Sequence, residues 1–470
     1  MNSGYFNDIS ETIFREYDIR GIYNKDITPE IAERIGRAYS LYLGSGSSVC
    51  IGRDLRPSSE PLYKSLIKGF LDQGCNVIDL GKVPTPLLYF GTHYLKANGG
   101  IMVTASHLPL EWNGFKFCND QGHIISNGIG LEKIKKNFID DNYKSNNQGI
   151  LRVYSNILDD YIGFIKSIIK INRMLKVVVD YGNSVSALAI PKIFDIMGFN
   201  VINRIEINKD TNIEHPNRSL EPTESALGML KKTVILNNAD IGLAFDGDGD
   251  RVVFVDNKGR YLNTGNIAIP IFSKYYLKEG YMNNYQKKIV FDLTCSSSVE
   301  EYVCTLGGEP IVTKVGHSYL ISEMIKEKAI FGGQYSGHLS FAETGYRDDA
   351  IFGSFKMLEI ISNSTSTLSN IVESLPKYCS SEMVEIPCDD SKKFDVINNI
   401  FTKIRYNKDP EINVISIDGI KIVKKRGWVL IRASNTSPII RVIADAKDCK
   451  EAEDMKNLGI KIVREVINDN

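Results

Sequence analysis

Two stretches of the chain, "KVVVDYGNSVS" at residues 176–186 and "KIVFDLTCSSS" at residues 288–298, follow one pattern. Each has a lysine, an apolar triplet, an aspartate, three variable residues and then two serines one residue apart. A fainter third copy is "SVCIGRDLRPSS" at residues 48–59. The pattern is typical of a buried strand that ends in a polar turn before a helix. Three copies indicate three related α/β units, although buried strands also resemble one another by chance.

The sequence around these copies alternates short β-branched runs with segments of helical periodicity, which is typical of α/β domains with largely parallel sheets. The segment "EPLYKSLIKGFLDQG" at residues 60–74 illustrates the helical period. It is predicted to be an amphipathic helix that ends at Gly74. Its apolar face is expected to contain Leu62, Leu66, Ile67, Phe70 and Leu71.

The length of 470 residues exceeds what one hydrophobic core supports, so several domains are expected. Polar stretches at 141–149 and 375–382 suggest boundaries, and the last ninety or so residues are then a smaller, separate domain. The predicted fold is α/β, with three related α/β domains plus a C-terminal α+β domain around a central cleft. The predicted bounds of the four domains are 1–150, 151–255, 256–374 and 375–470.

The charge and cysteine content exclude several classes of protein. With 56 basic and 57 acidic residues the net charge is −1, which argues against nucleic-acid binding. The eight cysteines are scattered and contain no C-x-x-C pair, so we expect them to be reduced. The start of the chain does not resemble a signal peptide, and no run of about 18 apolar residues occurs. We therefore expect a soluble cytoplasmic protein that does not bind membranes.

The segment "DGDGDR" at residues 246–251 places three aspartates between two predicted buried strands, "ADIGLAF" and "VVFVD". Alternating carboxylates on a glycine-containing loop suit a hard divalent cation with oxygen ligands. A calcium loop of the helical type is excluded because its sixth position is Arg251 and its twelfth is Asn257. Magnesium, which keeps few carboxylates and adds a phosphate oxygen, fits better than calcium. The alternative is a solvated Asp-Gly turn.

A second candidate site is "VTASHLPLEWNGFKF" at residues 103–117. Ser106 follows an apolar stretch in a turn of small residues, with His107 beside it and Lys116 ten residues further on. A serine in this position is either a nucleophile, a carrier of a phosphoryl group or, most commonly, a helix N-cap. A nearby metal ion would offset the charge of a phosphoryl group.

Four further stretches carry polar groups in turns. The loop "GGQYSGHLSF" at 332–341 offers hydrogen-bonding side chains of the kind that sugar hydroxyls accept. The loop "IRASNTSP" at 431–438 combines a guanidinium, hydroxyls and turn amides, which suits phosphate. "FREYDIRG" at 14–21 and "TKVGHSYL" at 313–320 are ambiguous alone, because surface arginines and solvated loop histidines are common.

Taken together and in this order, these motifs resemble the α-D-phosphohexomutase superfamily, particularly its phosphomannomutase/phosphoglucomutase branch. The resemblance spans essentially the whole chain, from "FREYDIRG" to "RASNTSP". It implies an enzyme that interconverts hexose 1-phosphates and hexose 6-phosphates of mannose or glucose. The reaction is expected to pass through a phosphoserine and a hexose 1,6-bisphosphate, which also acts as activator. The expected partner is a small phosphosugar, and the expected oligomeric state is a monomer or a weak homo-oligomer.

The resemblance also assigns expected roles to residues. Ser106 is expected to carry the phosphoryl group and to complete a Mg²⁺ site through a phosphate oxygen. The metal-binding carboxylates are expected to be Asp246, Asp248 and Asp250. The remaining residues are expected to act in phosphoryl and proton transfer (Arg20, Arg251, Lys116, His338 and His107), in substrate contacts (Tyr17, His317, Gln334 and Ser336) and in binding the phosphate that is not transferred (Arg432, Ser434, Asn435 and Thr436).

Some positions depart from the family pattern. Gln334 and Tyr335 stand where the family loop usually reads Gly-Glu-Met-Ser-Gly-His, and Thr294 stands where close relatives can carry lysine. A substrate contact or an epimer preference is expected to change as a result. Two alternatives remain: a phosphoglucosamine mutase, whose phosphate loop typically has glycine at the position of Asn435, and a phosphosugar-binding protein with little or no turnover.

Overall fold

The computed structural model describes residues 3–140, 148–205, 218–278, 285–406, 412–435 and 437–468. The chain divides into two compact units. The first contains Met1–Asn263 and Ser336–Glu373, and the second contains Thr264–Tyr335 and Ser374–Asn470. Among the described helices, none has both the length and the apolar content needed to cross a membrane.

The first unit begins with a mixed sheet whose strand order is β1-β5-β4-β2-β3-β7, with β6 paired to β5. Strand β2 pairs in parallel with β3 and β4, and β5 pairs antiparallel with β1 and β4. The predicted helix at 60–74 is confirmed as α3. The elements are α1 (Ser3–Ile13), β1 (Ile19–Ile22), α2 (Pro29–Leu43), β2 (Ser48–Arg53), α3 (Ser59–Asp72), β3 (Asn76–Lys82), α4 (Thr85–Tyr94), β4 (Gly99–Val103), β5 (Trp112–Asn119), β6 (Ile124–Ile125), α5 (Leu131–Asp140) and β7 (Leu151–Val153).

The second sheet, also in the first unit, has the order β12-β11-β10-β8-β9. Strands β8 and β10 are parallel, whereas β10 and β11 form an antiparallel pair in which Phe245 lies opposite Val252. The prediction that strands flank "DGDGDR" is therefore confirmed. The elements are α6 (Ile157–Ile168), β8 (Lys176–Asp180), α7 (Ser186–Met197), β9 (Asn200–Ile205), α8 (Gly228–Leu236), β10 (Ile241–Phe245), β11 (Val252–Asp256) and β12 (Tyr261–Leu262).

The next part of the chain starts in the second unit, where β13 pairs in parallel with β14 and β15. Strand β16 and the two helices after it belong to the first unit. The elements are α9 (Ile269–Lys278), β13 (Gln286–Asp292), α10 (Ser297–Thr305), β14 (Glu309–Thr313), α11 (His317–Glu327), β15 (Ala329–Gly333), β16 (Leu339–Phe341), α12 (Ala350–Ser362) and α13 (Leu368–Glu373).

The three similar stretches occupy equivalent places in three sheets. In each, a buried strand (β2, β8 or β13) leads through a polar turn into a helix (α3, α7 or α10). Each strand pairs in parallel with its neighbours, which buries it on both faces and explains its continuous apolar run. The prediction of three related α/β domains is therefore confirmed.

The C-terminal part of the second unit is an antiparallel sheet of order β17-β22-β21-β20-β19, with β18 paired to β22. Two helices pack on it around a core that includes Ile400, Val429, Val442 and Val463. This arrangement is the predicted α+β domain. The elements are β17 (Cys379–Ser380), β18 (Val384–Pro387), α14 (Lys393–Tyr406), β19 (Asn413–Ile415), β20 (Ile420–Lys424), β21 (Gly427–Ala433), β22 (Ile439–Ala446) and α15 (Cys449–Asn468).

One sequence-based expectation is wrong. Cys379 and Cys449 form a disulfide, whereas all eight cysteines were expected to be reduced. The two residues are 70 positions apart, but Cys379 pairs with Ala446 at the end of β22 and Cys449 begins the next helix. The sheet therefore brings their Cα atoms to 4.9 Å, which spacing along the chain could not reveal.

Reduction of this disulfide is expected to destabilise the second unit. A cross-link that closes a loop of 70 residues lowers the entropy of the unfolded chain, and the chain-entropy relation gives a stabilisation of about 4 kcal/mol. Urea unfolding with and without dithiothreitol measures the change, and Cys379→Ser should reproduce it. Cys304→Ser, at an exposed free thiol, is the control. Equal stability of the oxidised and reduced protein would contradict the expectation.

Candidate active site

The loop 246–251 brings three buried carboxylates together. Candidate ligand oxygens of Asp246, Asp248 and Asp250 all lie within 4.8 Å of one another. Burial, together with the Asp250 and Asp248 charges, raises the pKa of Asp246 well above its ordinary value. Asp248 Oδ1 is buried and accepts no hydrogen bond from the described residues. Clustered carboxylates with an unsatisfied oxygen fit a hard divalent cation such as Mg²⁺.

Main-chain hydrogen bonds hold this loop in shape. The N–H groups of Gly249 and Arg251 donate to Asp246 Oδ1 at 3.0 and 3.2 Å. Thr85, at the start of α4, donates its N–H to the Asp248 carbonyl at 2.9 Å and its hydroxyl to Asp248 Oδ2 at 2.7 Å. Gly249 has φ of 76°, a conformation that favours glycine. The three carboxylates are therefore oriented by the fold and do not need a bound ion to converge.

Ser106 lies directly against these carboxylates. Its Oγ donates to Asp246 Oδ2 at 2.9 Å and lies 3.3 Å from His107 Nδ1. Ser106 is not a helix N-cap: it lies in the turn after β4 with φ of 53°, a left-handed conformation that is uncommon for serine. Burial and the nearby Arg251 and Arg20 cations lower the pKa of His107 well below its ordinary value. A neutral imidazole and a buried carboxylate therefore flank the hydroxyl.

Lys116 on β5 reaches the same loop. Its Nζ donates to Asp248 Oδ2 at 2.6 Å and also to Asp250 Oδ2. Burial alone would lower the pKa of Lys116, but the charges of Asp248 and Asp250 outweigh it and raise the pKa. The side chain is therefore a fully charged donor at neutral pH, and it partly neutralises the three aspartates.

Two arginines border the carboxylate loop from different strands. The Arg20 Nε group donates to Asp18, and its Nη1 is buried without a hydrogen-bond partner among the described residues. The Arg251 Nε group lies 4.0 Å from Asp246 Oδ2 and donates to His338 Nε2 at 3.0 Å. Both guanidinium groups are available to neutralise an anion beside Ser106.

The contact with Arg251 fixes the tautomer of His338. Because an arginine Nε only donates, His338 Nε2 must accept, and a neutral ring then has its proton on Nδ1. Nδ1 lies 2.6 Å from Asp348 Oδ2, which accepts that proton. In this arrangement His338 orients Arg251, and it differs in this from the acid or base that the sequence suggested.

Three residues of this site were missed from the sequence: Thr85, Asp348 and Arg56. Arg56 is buried and donates to the Ser106 carbonyl at 2.8 Å. A charged residue in a turn after a buried strand, as in "GRDLRPSS", was the one available signal for Arg56. Thr85 and Asp348 contact the site through the tertiary fold alone.

The predicted substrate residues lie in both units. Tyr17 is half-buried before β1, and Ser336 is exposed after β15, both in the first unit. In the second unit His317 begins α11, and Gln334 is buried with its Nε2 donating to Asp292 Oδ2 at 3.1 Å.

The predicted phosphate loop follows β21 in the second unit. Arg432 ion-pairs with Asp418 at 3.1 Å through Nη2, and its buried Nε has no hydrogen-bond partner among the described residues. Ser434 is fully buried, and its Oγ accepts the N–H of Ser437 at 3.2 Å. Asn435 follows and is half-buried, whereas Thr436 lies outside the described residues. An unsatisfied guanidinium nitrogen beside turn hydroxyls is suited to an anion.

Lys421 on β20 was not identified from the sequence. Its Nζ donates to the Leu293 carbonyl at 3.2 Å and lies 3.9 Å from the ring centroid of Trp428. Burial lowers the pKa of Lys421 to about 8. The amine therefore lies beside Thr294, the position at which close relatives can carry lysine.

The pKa of Lys421 predicts a pH dependence of stability. Because the folded-state pKa is depressed below the unfolded value, stability falls as pH decreases from about 10.5 to 8 and is then constant. Relative to the wild type, Lys421→Met should gain at most about 3 kcal/mol over this range, from 1.36 kcal/mol per pKa unit. Urea unfolding across this range measures the difference. Exposed Lys425→Met is the control, and parallel profiles for Lys421→Met and wild type would contradict the prediction.

Comparison with known proteins gives consistent matches along the chain. Four family models match in order: phosphoglucomutase/phosphomannomutase alpha/beta/alpha domain I at residues 11–144, domain II at 159–259, domain III at 264–378 and the C-terminal domain at 383–458. A phosphomannomutase/phosphoglucomutase of Pseudomonas syringae is 34% identical over 98% of this chain and 97% of its own. A probable phosphoglucosamine mutase of Thermococcus gammatolerans is 33% identical over 96% and 97%. A crystal structure of a Burkholderia thailandensis phosphoglucomutase/phosphomannomutase family protein matches with a TM-score of 0.85 and 27% identity, covering 97% and 98%.

Proposed function

Because the chain belongs to the phosphoglucomutase/phosphomannomutase family of the α-D-phosphohexomutase superfamily, we propose that it interconverts the 1-phosphates and 6-phosphates of glucose and mannose. In this proposal Ser106 carries a phosphoryl group that it donates to the sugar monophosphate. The resulting hexose 1,6-bisphosphate turns end for end and returns its other phosphate to Ser106. The bisphosphate also serves as activator of protein that has lost its phosphate.

The observation that carries this proposal is the 2.9 Å hydrogen bond from Ser106 Oγ to Asp246 Oδ2. It joins two loops that are 140 residues apart and places a strained serine against three buried carboxylates. A serine hydroxyl alone is a weak nucleophile. Beside a cation-binding loop and two arginines it is suited to gain and lose a phosphoryl group, because phosphoryl transfer depends mainly on positioning and charge neutralisation.

The residues that would hold the metal are Asp246, Asp248 and Asp250, with an oxygen of the Ser106 phosphoryl group as a further ligand. Mg²⁺ bound there would neutralise charge on the transferring phosphoryl group. The unsatisfied Asp248 Oδ1 and the raised pKa of Asp246 support this assignment, because both are features of carboxylates arranged for a cation.

The chain's own cations would carry out the rest of the transfer. Arg20, through its unpartnered Nη1, and Arg251, held by His338, would bind the phosphoryl oxygens. When the phosphoryl leaves Ser106 the Oγ gains one proton, and the attacking sugar hydroxyl loses one. Lys116 is the proposed donor because its pKa is raised, and His107 is the neutral group within reach of Ser106 Oγ.

Recognition of the sugar and of its second phosphate is assigned to the other loops. Gln334 and Ser336 would contact the sugar hydroxyls, with Tyr17 and His317 as further contacts. A clamp must accept either phosphate of the bisphosphate, so groups that grip phosphate itself are required. These are assigned to Arg432, Ser434, Asn435 and Thr436.

The test is a coupled assay of glucose, mannose and glucosamine 1-phosphates with Mg²⁺ and a trace of the matching bisphosphate. Intact mass spectrometry verifies the phosphate on the protein, and Ser106→Ala is expected to lose both phosphate and turnover. Turnover of glucosamine phosphate alone would favour the second candidate, a phosphoglucosamine mutase, which the similarity to the Thermococcus protein supports. Phosphorylated protein that turns over none of the three would indicate a phosphosugar-binding protein.

A further inference from the structure

The three related α/β domains share a buried aspartate with one hydrogen-bonding pattern. Asp54 directly follows β2, Asp180 ends β8 and Asp292 ends β13, and all three are at most 4% exposed. In each, Oδ1 accepts the main-chain N–H of the residue two positions further on, at 2.8 to 3.0 Å. These donors are Arg56, Gly182 and Thr294.

The second oxygen of each aspartate accepts a side-chain nitrogen. Arg56 Nε lies 3.2 Å from Asp54 Oδ2, Arg218 Nε lies 3.0 Å from Asp180 Oδ2, and Gln334 Nε2 lies 3.1 Å from Asp292 Oδ2. The first donor is local, the second is 38 residues away and the third is 42 residues away. The same aspartate therefore binds a different chain segment in each domain.

In the first domain the bound side chain leads to the Ser106 loop. The Arg56 Nη2 group donates to the carbonyls of Ser106 at 2.8 Å and Leu108 at 2.6 Å, and Nη1 donates to Pro109 at 2.6 Å and Trp112 at 3.1 Å. Four carbonyls of one turn are thus fixed by one guanidinium. This contact holds Ser106 at its left-handed φ, a conformation that needs support from its surroundings.

In the second domain the bound side chain leads to the carboxylate loop. The Arg218 Nη2 group donates at 2.6 Å to the carbonyl of Phe245, the residue before Asp246. A side chain at Gly182 would crowd this guanidinium, because an added Cβ would lie 2.8 Å from Arg218 Nη2. In the third domain the bound side chain, Gln334, itself belongs to the loop proposed to read the sugar.

We propose that Asp54, Asp180 and Asp292 are equivalent positioning residues, each holding one loop of the site: the Ser106 loop through Arg56, the carboxylate loop through Arg218 and the sugar loop through Gln334. The assignment of the loops rests on the proposed function. None of the three aspartates needs to touch the substrate. Each acts through a planar donor that fixes main-chain or side-chain geometry, so that one structural device serves three separate tasks.

The test compares Arg56→Lys and Arg218→Lys with Arg34→Lys. Arg34 is the matched control, because it is equally buried and donates to the carbonyls of Phe138 and Ile139, which belong to no proposed loop. Lysine retains the charge but cannot reach several acceptors at once. Each variant is assayed below its own unfolding temperature, so that loss of stability does not enter the comparison.

Arg56→Lys is expected to speed hydrogen exchange in residues 104–112 and to lower kcat with little change in KM. Arg218→Lys is expected to weaken Mg²⁺ binding, measured by calorimetry, by about 10- to 100-fold, the usual effect of losing a residue behind metal ligands. Asp292→Asn is expected to raise KM for the hexose phosphate without changing Mg²⁺ affinity. Arg34→Lys should show none of these changes.

If Arg56→Lys and Arg218→Lys behave like Arg34→Lys in both exchange and Mg²⁺ binding, the proposal is wrong. Exchange and calorimetry need no turnover. A wild type that binds Mg²⁺ but converts no hexose phosphate, with both variants altered as described, would overturn the proposed function and uphold the loop anchors. An active wild type with unaltered variants would do the opposite.

Discussion

Alanine at Gly247 is expected to lower kcat by about 100-fold or more while the protein remains folded. An added Cβ at this position would collide with the carbonyl oxygen of Ser106. That carbonyl is held by Arg56, so it cannot easily move aside. The serine and the carboxylate loop must therefore separate, and displacements of about 1 Å in a site that works by positioning cost about 100-fold in rate.

The measurement is the coupled assay together with urea unfolding of wild type and Gly247→Ala. Gly163→Ala is the matched control, because a Cβ at Gly163, in the interior of α6, has no atom within 4 Å. That variant should keep its kcat and gain up to about 1 kcal/mol of stability from helix propensity. Wild-type turnover by Gly247→Ala would show that contact between the two loops is not needed.

Much of the fold could be predicted because its signals are local. The repeated strand-turn-helix stretches are continuous in sequence, and burial of a parallel strand on both faces leaves an apolar run that is visible without a structure. The loops of the site follow such strands, so Ser106, Asp246 and Gln334 could be named from their position after an apolar run.

The residues that could not be predicted depend on contacts between distant segments. Arg56 reads as a surface arginine until its four carbonyl acceptors are known, and Asp348 has no signal beyond its charge. Cys379 and Cys449 pair only because β22 brings together residues 70 positions apart. In each case the partner, and not the residue type, decides the role.

The role of His338 shows the same limit at a residue that was correctly singled out. A histidine in a glycine-flanked loop is a reasonable proton-transfer candidate on its residue type alone. Its ring nitrogens are in fact engaged by Asp348 on one side and by Arg251, which is 87 residues away, on the other. The tautomer and hence the available chemistry follow from those two partners.

Methionine at Lys116 is expected to destabilise the metal-free protein by about 3 to 5 kcal/mol, the usual cost of removing one partner of a buried ion pair. Lys116 Nζ bridges Asp248 and Asp250, and all three side chains are almost completely buried. Without the ammonium group, the carboxylates repel one another in a medium that solvates them poorly. Turnover is expected to fall by about 100-fold or more with loss of the proton donor.

Magnesium should reverse much of this destabilisation, because a bound cation restores positive charge beside the same carboxylates. Urea unfolding in EDTA and in Mg²⁺ measures the effect, and Mg²⁺ should stabilise Lys116→Met more than it stabilises the wild type. Lys356→Met is the matched control: Lys356 is equally buried, pairs with Glu359 at 2.6 Å and lies on α12 away from the aspartate loop. It should lose stability without regaining it in Mg²⁺ and should keep its kcat. Equal stabilisation of both variants by Mg²⁺ would mean that the cation binds elsewhere. A larger effect on Lys116→Met would mean that lysine and metal neutralise the same three carboxylates, so that the ammonium group keeps the loop assembled whenever the cation is absent.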